Sequence, residues 1–163
     1  MKNKLSIIII VAWIISCKSI NIEDNRPASD IIGIWQLERI QYTNGKVLTP
    51  EQDTLYWVEF TQTLVSDDPL NENGTMHNFL RGGANCNWVQ GWYDFTDDKN
   101  ISIAFICSRA ICGIATQFCL AGATTNKYSF EGEKLFLHFE SEGNDPKIPN
   151  NGVLVFKPLN PND

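Results

Sequence analysis

The side chains of this sequence that could do covalent or redox chemistry are five cysteines. Cys17 stands near the N-terminus, and Cys86, Cys107, Cys112 and Cys119 lie in the second half of the chain. The spacings between these four, 21, 5 and 7 residues, lack the paired C-x₂₋₄-C segments that thiolate zinc sites favour. In an oxidising compartment they instead predict two disulfides, for which four cysteines allow three pairings.

The two histidines are the candidate acid–base groups. His77 follows a glycine-containing loop and is expected near Asp67, Asp68 and Glu72, whereas His138 falls in the polar phase of an alternating strand and is predicted to face solvent. A hydrolytic base needs a nucleophile within about 2.6–3.2 Å, and the sequence identifies none. It also lacks G-x-S-x-G, H-E-x-x-H and Walker motifs. The sequence therefore favours a non-enzymatic protein.

No metal ion or cofactor is predicted. The acidic, asparagine-rich loop 67–74 offers oxygen atoms of the kind that Ca²⁺ accepts, but its spacing does not match an EF-hand and Pro69 interrupts it. A solvated loop is the favoured interpretation.

The N-terminus predicts a lipoprotein leader. Lys2 and Lys4 precede an apolar run from Leu5 to Ile15, which suits a signal peptide and is too short for a membrane span of about 20 residues. The run ends in Ile14-Ile15-Ser16-Cys17, which is similar to a lipobox. A small residue allows the peptidase to close on the backbone, and the thiol attacks the diacylglycerol donor. We therefore expect residues 1–16 to be removed and Cys17 to carry lipid.

The leader fixes the expected domain organisation and compartment. Residues 17–30 are mostly polar and predict a flexible tether, and residues 31–163 predict a single β domain. Lys18 rather than Asp follows the cysteine, which by similarity to lipoprotein sorting signals favours the outer membrane. The expected location is the cell envelope, where the lipid anchors the protein to the membrane. The sequence leaves both a periplasmic and a surface-facing position open.

The mature region predicts a mainly β fold. Alternating and β-rich segments separated by turn signals indicate an antiparallel barrel or sandwich of about seven or eight short strands. Helical signal is confined to a weak candidate at 110–121, which contains Gly113 and β-branched residues. The predicted strands lie within residues 31–42, 55–65, 75–80, 87–95, 101–105, 128–130, 135–139 and 153–157.

Aromatic residues and one arginine are the candidate ligand contacts. Trp57, Trp88, Trp92 and Tyr93 could line a cavity or a carbohydrate-binding face, although packing in the core is the default expectation for them. Arg109 lies in an apolar region, where it needs a carboxylate partner or could meet an anionic ligand.

The net charge of −6 argues against a nucleic-acid partner, which would require a basic surface.

Several short motifs, in order, resemble those of the bacterial META domain, a heat-shock-type family. The motifs of that family are, in order, a Gly-Cys-Asn, a Gly-x-Tyr, a strand and a Thr-Arg-Met-Ala-Cys segment. Upstream of them, Gly33-Ile34-Trp35 of this chain resembles a Gly-x-Trp opening that META domains share with lipocalin-like domains. The resemblance covers most of residues 31–157. Asn85 stands where the family has Gly, and Ser108 where it has Thr. The matching segments are Asn85-Cys86-Asn87, Gly91-Trp92-Tyr93, Ile101-Ser102-Ile103 and Ser108-Arg109-Ala110-Ile111-Cys112.

The resemblance implies a disulfide pairing and a function. It implies that Cys86 pairs with Cys112, which leaves Cys107 with Cys119. It also implies a non-enzymatic envelope module that binds a protein partner or supports the envelope under stress. The alternative is a lipocalin-like carrier whose barrel holds a small apolar ligand, and an enzyme ranks last.

Overall fold

The computed structural model describes residues 28–67, 74–108, 112–140 and 151–159. The predicted signal peptide, Cys17, most of the predicted tether, Arg109 and most of the 67–74 loop lie outside these residues. The described part contains a 3₁₀ turn at Ala28–Ile31, nine strands and one helix. These are β1 Gly33–Tyr42, β2 Val47–Leu48, β3 Tyr56–Ser66, β4 Met76–Ala84, β5 Asn87–Phe95, β6 Ile101–Cys107, α1 Ala115–Ala123, β7 Thr125–Glu131, β8 Lys134–Glu140 and β9 Asn151–Pro158.

The strands form one antiparallel sheet in the order β6-β5-β4-β3-β1-β9-β8-β7, and the two-residue β2 pairs with β1. The sheet curls until its two edge strands meet. Asn100, just before β6, forms a β-bridge with Lys127 of β7, and the backbone N–H of Tyr128 donates to the carbonyl of Lys99 at 3.0 Å. The result is a nearly closed eight-stranded barrel, which confirms the predicted mainly β fold with one short helix.

Aromatic rings fill the interior of the barrel. Phe118 of α1 is fully buried and meets the rings of Tyr56 and Phe105 edge-on, at centroid distances of 5.7 and 5.4 Å. Gly122 is buried one helical turn later, where a Cβ would lie 2.7 Å from the Phe105 ring. The helix therefore packs closely on the concave side of the sheet. Other buried rings are Trp35, Phe60, Tyr93, Tyr128, Phe130, Phe139 and Phe156.

Two disulfides hold α1 and the segment before it. Cys107 at the end of β6 is bonded to Cys119 in α1, and Cys86 in the β4–β5 turn is bonded to Cys112, with Cα–Cα distances of 6.1 and 6.2 Å. The pairing that the family resemblance implied is thus confirmed.

Several element boundaries differ from the sequence predictions. The helix begins at Ala115 rather than Ala110, because Gly113 adopts a φ of +49°, which is outside the right-handed helical region. Strand β4 continues to Ala84 through Gly82 and Gly83, whereas the prediction ended it at residue 80. The short β2 was not predicted. Within the described residues, no helix has the length and hydropathy to cross a membrane.

Candidate functional site

The convex side of β3–β6 carries an unusual number of large aromatic side chains. The antiparallel registers bring them together in successive cross-strand rows. We call this surface the outer tryptophan face. Its members are Trp57, Glu59, Val65, Ser66, Asp67, His77, Phe79, Arg81, Gly83, Trp88, Gln90, Trp92, Asp94, Ala104 and Ile106.

One row of this face places a glycine between two tryptophans. Trp57 pairs with Gly83, and Gly83 pairs with Trp88 on its other side. A Cβ on Gly83 would lie 2.7 Å from Nε1 of Trp57, so the indole occupies space that a larger residue would fill. The Trp88 side chain is 56% exposed. Its strand is held to the end of β6 by a hydrogen bond from the Trp88 backbone N–H to Ser108 Oγ at 3.2 Å.

A groove of about 340 Å³ runs along the face beside Trp88. Phe79 and Trp92, register partners on β4 and β5, contribute apolar walls, and Ile106, which is 49% exposed, borders the groove on β6. The lining residues are Val65, Ser66, Asp67, Phe79, Trp88, Gln90, Gly91, Trp92 and Ile106. The lining is therefore mostly apolar, and Ser66, Asp67 and Gln90 are its polar residues.

His77 lies between two carboxylates next to the groove. Its Nδ1 is hydrogen-bonded to Asp94, its Nε2 lies 3.5 Å from Oδ2 of Asp67, and its ring stacks on Trp92 at a centroid distance of 5.9 Å. The hydrogen bond to Asp94 raises the pKa of His77 above its usual value, and Asp67 adds to the effect. The predicted proximity of His77 to Asp67 is confirmed, and Asp68 and Glu72 lie outside the described residues.

An ion pair borders the middle of the face. Arg81 Nε donates to Oε2 of Glu59 at 2.5 Å, and the two residues are register partners on β4 and β3. Gln90 is the next residue in the same row, on β5. The positive charge of Arg81 is thus matched by a carboxylate within the face itself.

The predicted aromatic contacts divide between the two sides of the sheet. Trp57, Trp88 and Trp92 lie on the outer face, so the default expectation of core packing was wrong for them. Tyr93, for which core packing was the default and a ligand contact the alternative, is fully buried and donates its hydroxyl hydrogen to the carbonyl of Thr61 at 2.8 Å. Burial raises the pKa of Tyr93 to about 12, and Asp94 adds to the increase. Tyr93 belongs to the core and does not reach the groove.

The sequence contained a signal for this division. Gln90 and Asp94 share the period-two phase of Trp88 and Trp92, whereas Tyr93 is in the opposite phase. Polar residues mark the solvent side of a half-buried strand, so the tryptophans could have been assigned to the outside. Asp94 as a partner of His77 needed the β4–β5 register, which the sequence did not provide.

The second histidine lies on the opposite part of the barrel. His138 on β8 faces outward, as predicted, but is partly covered and forms a 2.9 Å hydrogen bond between its Nε2 and Ser129 Oγ. Burial lowers the pKa of His138, and the charge of Lys127 contributes in the same direction. In the part of the chain that the structure describes, no group of three or more His, Cys, Asp or Glu residues is placed to hold a metal ion.

Comparison with known proteins adds a likeness of fold. No protein-family model matches the chain, and no curated protein matches it significantly. Among solved structures, an NMR structure of a protein from Burkholderia xenovorans is similar, with a TM-score of 0.53 and 16% sequence identity. The match covers 82% of this chain and 88% of that one. At this identity the likeness concerns the fold alone.

Proposed function

We propose that this chain is a lipid-anchored lipoprotein of the bacterial outer membrane whose β domain is a non-enzymatic binding module. The module binds an envelope component through the outer tryptophan face. The observation that carries this proposal is the exposed Trp88 beside a groove with both apolar and polar walls. A large aromatic ring left exposed next to a concave surface is typical of a binding site.

The lipid anchor is supported by the Ile14-Ile15-Ser16-Cys17 segment at the end of the apolar leader. The four cysteines of the β domain form two disulfides, which suits an exported domain. Kinship with META domains is supported by the order of the motifs and by the pairing of Cys86 with Cys112.

The surroundings of His77 suit a positioning role. Its hydrogen bond to Asp94 raises its pKa, and Asp67 adds to the effect. The cluster fixes the plane of Trp92, on which the His77 ring stacks.

The lipocalin-like carrier is the second candidate, and the interior of the barrel gives it less support. A carrier needs internal space for its ligand, whereas here Phe118 of α1 packs against Tyr56, Phe105 and Phe156 on the concave side. The groove beside Trp88 lies on the convex side of the sheet, outside the barrel.

Metabolic labelling tests the anchor. Cells that express the full chain and are fed radioactive or clickable palmitate should yield a labelled protein, and Cys17→Ser should abolish the label. An unlabelled wild-type protein, or a Cys17→Ser variant that is matured and sedimented with membranes as before, would contradict the proposed anchor.

Hydroxyl-radical footprinting tests the binding surface. The full-length protein is oxidised once in isolated cell envelopes and once after purification in detergent. Trp88 should be protected in the envelope, whereas Leu120, which is 54% exposed on α1, should oxidise equally in both samples. Ile106→Ala should reduce the protection of Trp88, and Val47→Ala, a change at an equally exposed residue on β2, should not. Equal oxidation of Trp88 in both samples would overturn the proposal.

A further inference from the structure

The ring surfaces of the outer tryptophan face are arranged as separate platforms on one strand. Trp88 and Trp92 lie on the same side of β5, four residues and so about 13 Å apart along the strand. Gln90 projects from the same side between them. An apolar platform, an amide and a second apolar platform therefore follow one another along the strand.

At least one platform is held rigidly before any ligand arrives. His77 stacks on Trp92 with an interplanar angle of 29°, and the hydrogen bond to Asp94 fixes the imidazole in turn. Near the second platform, Trp88, the indole of Trp57 lies against Gly83, the register partner of Trp88. A preorganised ring loses little conformational entropy on binding, which favours affinity.

We propose that the outer tryptophan face binds an uncharged saccharide chain that lies along β5; this inference rests on the proposed function. A pyranose ring has an apolar side of C–H bonds and an edge of hydroxyl groups. The C–H side can pack on the faces of Trp88 and Trp92. The hydroxyl groups can bond to the polar residues of the groove, which are Gln90 between the two tryptophans and Ser66 and Asp67 at the end near His77.

The charges of the face favour a neutral ligand. Arg81 is matched by Glu59, and His77 lies between Asp67 and Asp94, so both cationic side chains already face carboxylates. An anionic saccharide would meet Asp67 at the groove without a free cation opposite, and the chain as a whole carries a net charge of −6. A neutral sugar needs hydroxyl acceptors, which Asp67 and Gln90 supply.

The size of the groove also fits a short stretch of saccharide. Sites for small ligands enclose about 300–1,000 Å³, and this groove of about 340 Å³ lies at the lower end of that range. We therefore expect recognition of a short stretch of a polymer.

Affinity electrophoresis in native gels tests the inference. The full-length lipoprotein is purified in a detergent without a sugar headgroup and run through gels that contain a soluble β-glucan, a galactomannan or a xylan. At least one polymer should retard it, and Trp88→Ala should weaken that binding about tenfold or more. Trp88→Phe should retain part of the affinity, Gln90→Ala should lose part of it, and Val47→Ala should behave as wild type.

The outcomes separate this inference from the proposed function. If none of the three polymers retards the protein, or if Trp88→Ala is retarded as strongly as wild type, the saccharide assignment is wrong. Equal retardation by alginate would contradict the preference for uncharged ligands. If Trp88 is nevertheless protected in the envelope footprint, a protein partner covers the face, and the binding module survives without the saccharide. The far-ultraviolet circular dichroism of Trp88→Ala should match wild type, because the side chain is mostly exposed.

Discussion

The indole of Trp57 occupies the space that a side chain at Gly83 would need. A Cβ built on Gly83 would lie 2.7 Å from Nε1 and 3.3 Å from Cδ1 of Trp57, its register partner on β3. The missing side chain lets the indole lie across β4 beside Trp88. The glycine thereby extends the apolar surface of the outer tryptophan face over three adjacent strands.

We predict that Gly83→Val displaces the Trp57 indole and destabilises the protein. Overpacking of this kind costs about 1–3 kcal/mol of unfolding free energy, measurable by urea denaturation. The same substitution in a Trp57→Ala background should cost much less, because the clashing ring is absent. Equal costs in the two backgrounds would show that the strain arises from the backbone of β4 rather than from Trp57.

Most of the sheet was predictable because its strands alternate. The pattern of Ile101, Ile103 and Phe105 places three apolar side chains inward on β6, as observed. Local signals failed where tertiary contacts override propensity. Gly82 and Gly83 are poor strand formers, yet β4 continues through them because each pairs with a residue of β3 and a residue of β5.

The site was harder to predict than the fold because it is built across strands. His77 and Asp67 flank one hairpin and are close in sequence, so their contact was foreseeable. The stacking of His77 on Trp92 depends on how β4 is registered against β5, which no local pattern specifies. The pairing of Cys107 with Cys119 likewise depends on where α1 packs.

We predict that the Cys107–Cys119 disulfide stabilises α1 against the sheet. Replacing both cysteines by serine should lower the unfolding free energy by about 3 kcal/mol, the value expected for a short closed loop. Amide hydrogens of Ala115–Ala123 should then exchange faster than those of β8. The matched control replaces Cys86 and Cys112, whose longer loop predicts a loss of about 3–4 kcal/mol. Unchanged exchange in α1 would show that Phe118 packing alone holds the helix.

Glu51 is predicted to stabilise the start of α1 from outside the helix. The helix has no side-chain cap of its own, and the Glu51 carboxylate accepts a hydrogen bond from the backbone of Ile114 and one from the Tyr56 hydroxyl at 3.1 Å. A hydrogen bond from its own backbone N–H is the largest cause that lowers the pKa of Glu51, and Tyr56, Thr54 and Ile114 add to it.

The pH dependence of Glu51 follows from that direction. A carboxyl whose pKa is lower in the folded state contributes stability above its unfolded pKa of about 4.5, and the contribution disappears as the pH falls through the folded value. Glu51→Gln should therefore reduce stability near neutral pH and flatten the acid limb of the stability curve. Glu133→Gln, in the β7–β8 turn, is the control. An acid limb that keeps its slope in Glu51→Gln would contradict the assignment.

His77 should give a pH dependence of the opposite sign. Its pKa is raised in the folded protein, chiefly by the hydrogen bond to Asp94. Its stabilising contribution is therefore complete below the unfolded pKa of about 6.5 and is lost as the pH rises through the folded value. His77→Gln should cost more unfolding free energy near pH 5.5 than near pH 8.5. A His77 imidazole that titrates below 6.5 by NMR would contradict the prediction.

His138 provides an internal comparison, because its pKa is shifted in the other direction. Burial favours the neutral imidazole, so the unfolded chain takes up a proton more readily than the folded one. The folded state should lose stability as the pH falls from about 6.5 toward the lowered pKa of His138. His138→Gln should remove this loss and leave the contribution of His77 intact, since the two residues lie on different parts of the barrel. NMR titration of both imidazoles in one sample should place the midpoint for His77 above that for His138, and the reverse order would contradict both assignments.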